Sequence, residues 1–145
     1  MTTTLRPAVR DDAPACAAIL SDWIAETPWF PNLHSRAEDV GFVARQIAHA
    51  ETIVAETEGR PVGFLVRDGT YVACLYVASS ARGQGTGRRL LDQAKSRSDR
   101  LSLWTFVANT RAQAFYRREG FREGRWTDGD NEEGLPDIEF LWEAP

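Results

Sequence analysis

The sequence has no run approaching the roughly 20 consecutive apolar residues of a membrane-spanning helix. Met1 to Arg10 lacks the apolar core of a secretory signal. A soluble cytoplasmic protein with no membrane partner is therefore the expectation. Cysteine is scarce. Cys16 and Cys74 are the only two, both among apolar neighbours, the usual setting of a reduced core thiol. Histidine is equally scarce, and His34, His49 and the two cysteines follow no metal-ligand spacing, so no metal is expected. An excess of positive charge is also missing. The formal net charge is -4, which argues against a dedicated nucleic-acid binder, whose affinity comes from neutralising phosphates. Linkers, repeats and low-complexity tracts are absent as well. Residues 1–145 are read as a single domain, large enough to bury about 70% of its unfolded surface.

Periodicity and punctuation place the elements. Residues 3–9 read as a short strand. Asp11 and Asp12 offer an N-cap, and Pro14 suits the first turn of a helix running to about Glu26. Cys16, Leu20, Trp23 and Thr27 recur along its apolar stripe. The following loop frames Trp29 and Phe30 between Pro28 and Pro31. Ser35 with Glu38 is a capping box that opens a second helix, to about Ala50. Residues 52–58 and 61–67 read as strands turning at Gly59, and 71–78 as a third. A glycine loop at 82–87 leads into a helix ending near Ser98. Residues 100–107 form a strand. Asn109 or Thr110 caps a last helix that Gly120 stops. Residues 121–127 and 136–143 close the chain as a strand pair. The class is α/β, a mixed sheet mostly antiparallel in its first half and flanked by about four helices, with 71–78 and 100–107 as a parallel crossover pair.

The chemistry concentrates at Arg82-Gly83-Gln84-Gly85-Thr86-Gly87-Arg88-Arg89, between a strand and a helix. Alternating glycines let the backbone approach a ligand and turn successive N–H groups inward. The helix N-terminus adds partial positive charge. Between 82 and 100 there are six bases and two acids, a local basic patch on an acidic chain. The segment reads as a phosphate or pyrophosphate cradle. It is no P-loop, since G-x-x-x-x-G-K-[ST] is absent. It is a poor Rossmann fingerprint, since the third glycine position is Arg88 or Leu90.

Arg82-x-x-Gly85-x-Gly87 resembles the acyl-CoA signature of the GNAT superfamily of N-acyltransferases. Leu75-Tyr76-Val77-Ala78 before it, and Asn109, Ala112, Ala114, Phe115, Tyr116 and Gly120-Phe121 after it, extend the resemblance. It implies acetyl-CoA as co-substrate and transfer of acetyl to a primary amine, of a small molecule or a peptide. It implies that the parallel strands splay and admit the thioester. It places the pyrophosphate on the N–H groups from Gly83 to Arg88, thus on Gly83, Gln84, Gly85, Thr86, Gly87 and Arg88, with Arg82 heading the motif. The main chain of Leu75 and Val77 would pair with the pantetheine arm, alongside Asn109, Ala112 and Phe115. Tyr116 matches the usual general acid, and a tyrosine of pKa about 10 holds its proton at neutral pH. A core aromatic is the competing role for Tyr116. No base is assigned; Glu26, Glu56, Asp137 and a water relay are all open.

On the acceptor side, Glu26, Trp29 and His34 are candidate substrate contacts, since the family's loop between its first helices commonly walls the acceptor pocket. Asp128, Asp130, Glu132, Glu133, Asp137 and Glu139 occur with no Lys or Arg from 128 to 139. They either draw a cationic amine or form a solvated hairpin. Trp104 either lines the thioester channel or packs under a helix. Three other readings stay open: a non-catalytic acyl-CoA-binding module of the same fold, another phosphate-ligand enzyme, and an interaction domain working through its acidic hairpin. A monomer or homodimer is expected.

Overall fold

In the computed structural model, which describes residues 2–145, the apolar alternation of the strands builds one sheet. Its strands are β1 (Thr3–Pro7), β2 (Glu51–Thr57), β3 (Arg60–Asp68), β4 (Tyr71–Val77), β5 (Arg100–Phe106), β6 (Arg122–Thr127) and β7 (Asp137–Glu143). The helices are α1 (Ala13–Glu26), α2 (Arg36–His49), α3 (Thr86–Ser96) and α4 (Thr110–Arg118). The strand order is β1-β2-β3-β4-β5-β7-β6, and the β4–β5 pair is the parallel one. Leu65, Leu90, Leu91, Leu103, Ile138 and Phe140 fill one face with α3 and α4. Ala17, Leu20, Val43, Val54, Phe64 and Cys74 fill the other with α1 and α2. Leu90 is fully buried, so its truncation to alanine costs about 2–5 kcal/mol.

The element boundaries fall within a few residues of the sequence reading, and the exceptions have causes. The first strand stops at Pro7 rather than residue 9 because a 3-10 turn, Arg10–Asp12, intervenes. Asp12 stands at the N-cap of α1 but does not cap it. Its carboxylate is taken by both terminal nitrogens of Arg6, each at 2.8 Å, and by the Val9 N–H at 2.7 Å. This charge-assisted bracket is stronger than a cap bond. Ser35 and Glu38 do form the reciprocal capping box, at 3.1 and 2.9 Å.

The register of β4 is what creates a site. Against β3, Val66 faces Cys74 while Arg67 faces Val72, so Ala73 is an extra residue that bulges β4. On its other edge β4 pairs with β5 only at Tyr71–Ser102. β5 instead stays in register with β7 from Arg100–Glu143 to Phe106–Asp137. The sheet therefore opens between β4 and β5 toward their C-terminal ends.

Candidate active site

The opening between β4 and β5 is a cleft of about 610 Å³. Ala78 gives its N–H to Val62 O on the β3 side at 2.7 Å. Strand alternation then turns the Val77 main chain the other way, into the opening, and Leu75 with it. Cys74 is buried, and desolvation pushes its thiol up to about 12, so it stays an inert thiol at neutral pH. Cys16 is likewise buried and free, its thiol also raised to about 12, chiefly by burial.

At the open end the chain turns through Gly83 (φ 75°) and Gly85 (φ 81°), a left-handed backbone that suits glycine. The Arg82 N–H returns to Ser79 O at 3.4 Å, and the Arg89 N–H reaches Gly85 O at 3.0 Å. Between them, among the described residues, the N–H groups from Gly83 to Arg88 find no loop carbonyl. Orphan donors at the start of α3 form an anion cradle. Gly87 sits close to Phe115 and Val77. Thr86 is buried, while Gln84 reaches Ser80 O at 3.3 Å. The Arg88 side chain is 70% exposed. Arg82 uses its guanidinium elsewhere: Nε donates to Val77 O at 3.1 Å and Nη1 to Glu26 at 3.1 Å. It thereby ties the loop to the end of α1.

From the α4 side, Asn109 caps the helix through Oδ1 to the Ala112 N–H at 3.1 Å, and among the described residues its amide nitrogen has no partner. Ala112, Phe115 and Tyr116 line the cleft. Tyr116 is only 8% exposed, its ring 5.2 Å from Phe115 and 5.5 Å from Phe121. Among the described residues its hydroxyl has no hydrogen-bond partner, yet it is not sealed off, so it faces the cleft. Burial pushes its pKa well above the ordinary tyrosine value, and it remains a proton donor at neutral pH.

The opposite wall is aromatic. Trp23, Tyr76, Trp104 and Phe106 line the cleft. Trp29 and Phe30 stand behind them: Trp29 is 5.9 Å from both Trp23 and Phe106, and Phe30 is 5.1 and 5.5 Å from the same rings. Trp104 lies under the guanidinium of Arg125, at 5.4 Å, rather than under a helix. His34 bridges two loops, with Nε2 2.6 Å from Glu132 and Nδ1 3.5 Å from Glu38. Partial desolvation pulls its pKa down, but Glu132 and Glu38 outweigh that and hold it above the ordinary imidazole value. The acidic connection is thus not simply solvated. Glu132 is bound to His34, Asp137 accepts from the Thr127 hydroxyl, and Glu139 is clamped by Arg125.

Residues 48–123 match the family model described as the acetyltransferase (GNAT) domain, slightly more than half of the chain. The chain belongs to the GNAT acetyltransferase family. Peptidyl-lysine N-acetyltransferase YiaC of Escherichia coli K12 is 29% identical to it over 95% of each chain. The solution structure of apo-form YjaB from Escherichia coli superimposes with a TM-score of 0.82 at 24% identity, covering all of both chains. Salmonella typhimurium yncA, solved with its cofactor acetyl-CoA, has a TM-score of 0.75 at 19% identity and covers 100% of this chain and 95% of its own.

This GNAT chain is an acetyl-CoA-dependent N-acetyltransferase. Its fold brings Leu75, Val77, Arg82, Gly83, Gly85, Thr86, Gly87, Arg88, Asn109, Ala112, Phe115 and Tyr116 to one cleft. Trp29, His34 and Glu26 are set behind or beside that cleft. Glu56, one of the open base candidates, is paired with Arg6 at 2.8 Å on the β2 side of the sheet, away from the opening. Arg111, Arg118 and Glu119 line the cleft and escaped the sequence reading. The signal was present, since they sit four, three and four residues from Phe115. Trp23, Tyr76 and Phe106 escaped it as cleft residues too: Trp23 read as part of its helix's apolar stripe, and Tyr76 and Phe106 only as members of their strands. No described helix is long and apolar enough to cross a membrane.

Proposed function

We propose that this acetyltransferase modifies the ε-amine of lysine side chains in peptides or proteins, with Tyr116 as the general acid. The observation that carries the proposal is the approach to the cleft. Trp23, Tyr76 and Phe106, braced by Trp29 and Phe30, make an apolar wall, and the acidic 128–137 connection adjoins it where Asp137 of β7 pairs with Phe106. A long apolar stem ending in an ammonium suits that combination. YiaC and YjaB, both named as peptidyl-lysine N-acetyltransferases, support the same class of acceptor.

The orphan N–H groups from Gly83 to Arg88 hold the pyrophosphate of acetyl-CoA, with the Arg88 side chain as counter-charge. Leu75 and Val77 offer main-chain groups to the pantetheine arm, and the Asn109 amide adds a donor. Ala112 and Phe115 wall the same channel. A backbone N–H of β4 stabilises the oxyanion formed when the amine attacks the thioester carbonyl. Tyr116 protonates the departing sulfur. Arg82 positions rather than charges the loop, through Val77 O and Glu26. Trp29 and His34 act on the acceptor indirectly, by holding the wall and the hairpin.

The test uses two peptides: one with an internal lysine and a blocked N-terminus, and one with a free N-terminus and no lysine. Mass spectrometry is expected to show acetyl-CoA-dependent acetylation of the first. Acetylation of the second alone would overturn the lysine assignment.

A further inference from the structure

Resting on the lysine reading above, we propose that Glu133 is the group that takes the proton from the incoming ammonium. The hairpin between β6 and β7 is held rigid by its own bonds. The Asn131 side chain clasps Leu135 from both sides, donating to its carbonyl at 2.7 Å and accepting its N–H at 3.2 Å. Gly134 N–H returns to Asn131 O at 3.1 Å. Gly129 packs so close to Gly134 that a Cβ there would stand 2.7 Å from the Gly134 carbonyl oxygen. His34 anchors the hairpin to the α1–α2 loop through Glu132. Within this frame Asp128, Asp130 and Glu132 are exposed, and Glu133 is half-buried.

Most other carboxylates around the approach are already engaged, and Asp128 and Asp130 are exposed to solvent. Glu26 is bound by Arg82, Glu132 by His34, Asp137 by Thr127 and Glu139 by Arg125. Among the described residues, Glu133 has no ion-pair partner. The hairpin that carries it adjoins the cleft: Asp137 pairs with Phe106 of the cleft wall, and the Val107 N–H donates to Pro136 O at 2.9 Å. The charged and titratable groups around Glu133 are Glu132, His34, Asp137 and Tyr76. Burial, then the charges of Glu132 and Asp137, raise its pKa, and His34 opposes them. A carboxylate whose pKa is raised is a better proton acceptor than an ordinary one. Independently, the nine-tenths-buried Tyr116 presents its unpartnered hydroxyl to the same cleft.

The protons balance as follows. Glu133 removes one proton from the lysine ammonium, freeing the nitrogen lone pair. The N–C bond forms at the thioester carbonyl, leaving a positive nitrogen and an oxyanion. The C–S bond breaks as the oxyanion collapses, and the sulfur takes the Tyr116 proton. The nitrogen's surplus proton restores Tyr116, and the proton on Glu133 passes to water.

Glu133→Gln keeps the shape and removes the titration. Wild type and variant are compared on the lysine peptide and on a free polyamine. At pH 7 the variant is expected to lose about 100-fold in acceptor kcat/KM, within the usual range for a general base. Acetyl-CoA affinity is expected to be unchanged. The deficit should then shrink by up to tenfold per pH unit toward pH 9–10, where free amine, of pKa about 10.4, no longer needs a base. Glu133→Asp should keep the wild-type pH profile at a lower rate. In the cofactor-free protein, carboxyl NMR should place Glu133 above the ordinary glutamate value, and n-butylammonium should shift that signal. Full activity of Glu133→Gln at pH 7, or a deficit constant from pH 6.5 to 9.5, overturns the proposal. Failure of the lysine reading shows separately, as wild-type activity on the polyamine alone.

Discussion

The donor and acceptor halves of the cleft are built from different materials. On the donor half the inward groups are mainly main-chain ones: the N–H groups from Gly83 to Arg88 and the β4 backbone at Leu75 and Val77. They come from one contiguous stretch of chain. On the acceptor half the inward groups are side chains, and they come from α1 (Trp23), β4 (Tyr76) and the end of β5 (Phe106). A backbone cradle depends on a few glycines and tolerates little else. A wall of side chains from distant segments can change one residue at a time, so one reaction can serve different amines on one scaffold.

If that division is right, a donor-side change should abolish cofactor binding itself. Gly85→Glu puts a carboxylate into the cradle at φ 81° and should weaken acetyl-CoA at least 100-fold by calorimetry. Gly59→Ala, at φ 74° in the β2–β3 turn, should cost about 1 kcal/mol of stability with no change in that affinity. Equal loss in both would make the effect general strain and erase the distinction.

Tyr116→Phe probes the junction of the two halves. Acetyl transfer should fall about 100- to 1,000-fold while acetyl-CoA binding stays within twofold. Unchanged turnover would return Tyr116 to a packing role with Phe121 and Phe140.

Trp23→Ala removes the ring that Trp29, Phe30 and Tyr76 all touch. The acceptor KM should rise about tenfold, roughly 1.4 kcal/mol, with acetyl-CoA affinity unaltered. A matching loss of acetyl-CoA affinity would show that the halves are not independent.

The smallest effect belongs to His34. Its bridge to Glu132 raises the imidazole pKa, so the bridge is complete below about 6.5 and is lost as pH rises through the raised value. His34→Gln should raise the acceptor KM about threefold at pH 6 and leave it unchanged at pH 9. In an NMR titration, Glu132→Gln should lower the His34 pKa. A KM ratio independent of pH would detach the hairpin from this imidazole.

Much of the fold and the donor side was legible because the signals are local. The Ser35–Glu38 box, the Asn109 cap and the Gly120 stop each involve partners within a few residues, and each forms as read. The misreadings are non-local. Asp12 read as a helix cap until Arg6, six residues away and on a strand, claimed its carboxylate. Arg82 read as charge for a phosphate, whereas its guanidinium spans to Glu26 at the end of α1. Glu56 stayed open as a base until strand order set it beside Arg6.

The sequence by itself determined the elements, the mixed sheet with its one parallel crossover, the glycine cradle opening α3 and the family. Those features depend on side-chain period, capping and backbone conformation, each decided within about one turn of chain. Only the tertiary structure decided which carboxylates are spent and which aromatics face the cleft. Those outcomes depend on how charges and rings from distant segments meet in space. His34 finds Glu132, Trp23 finds Tyr76, and the bulged β4 parts from β5 while β7 keeps its register.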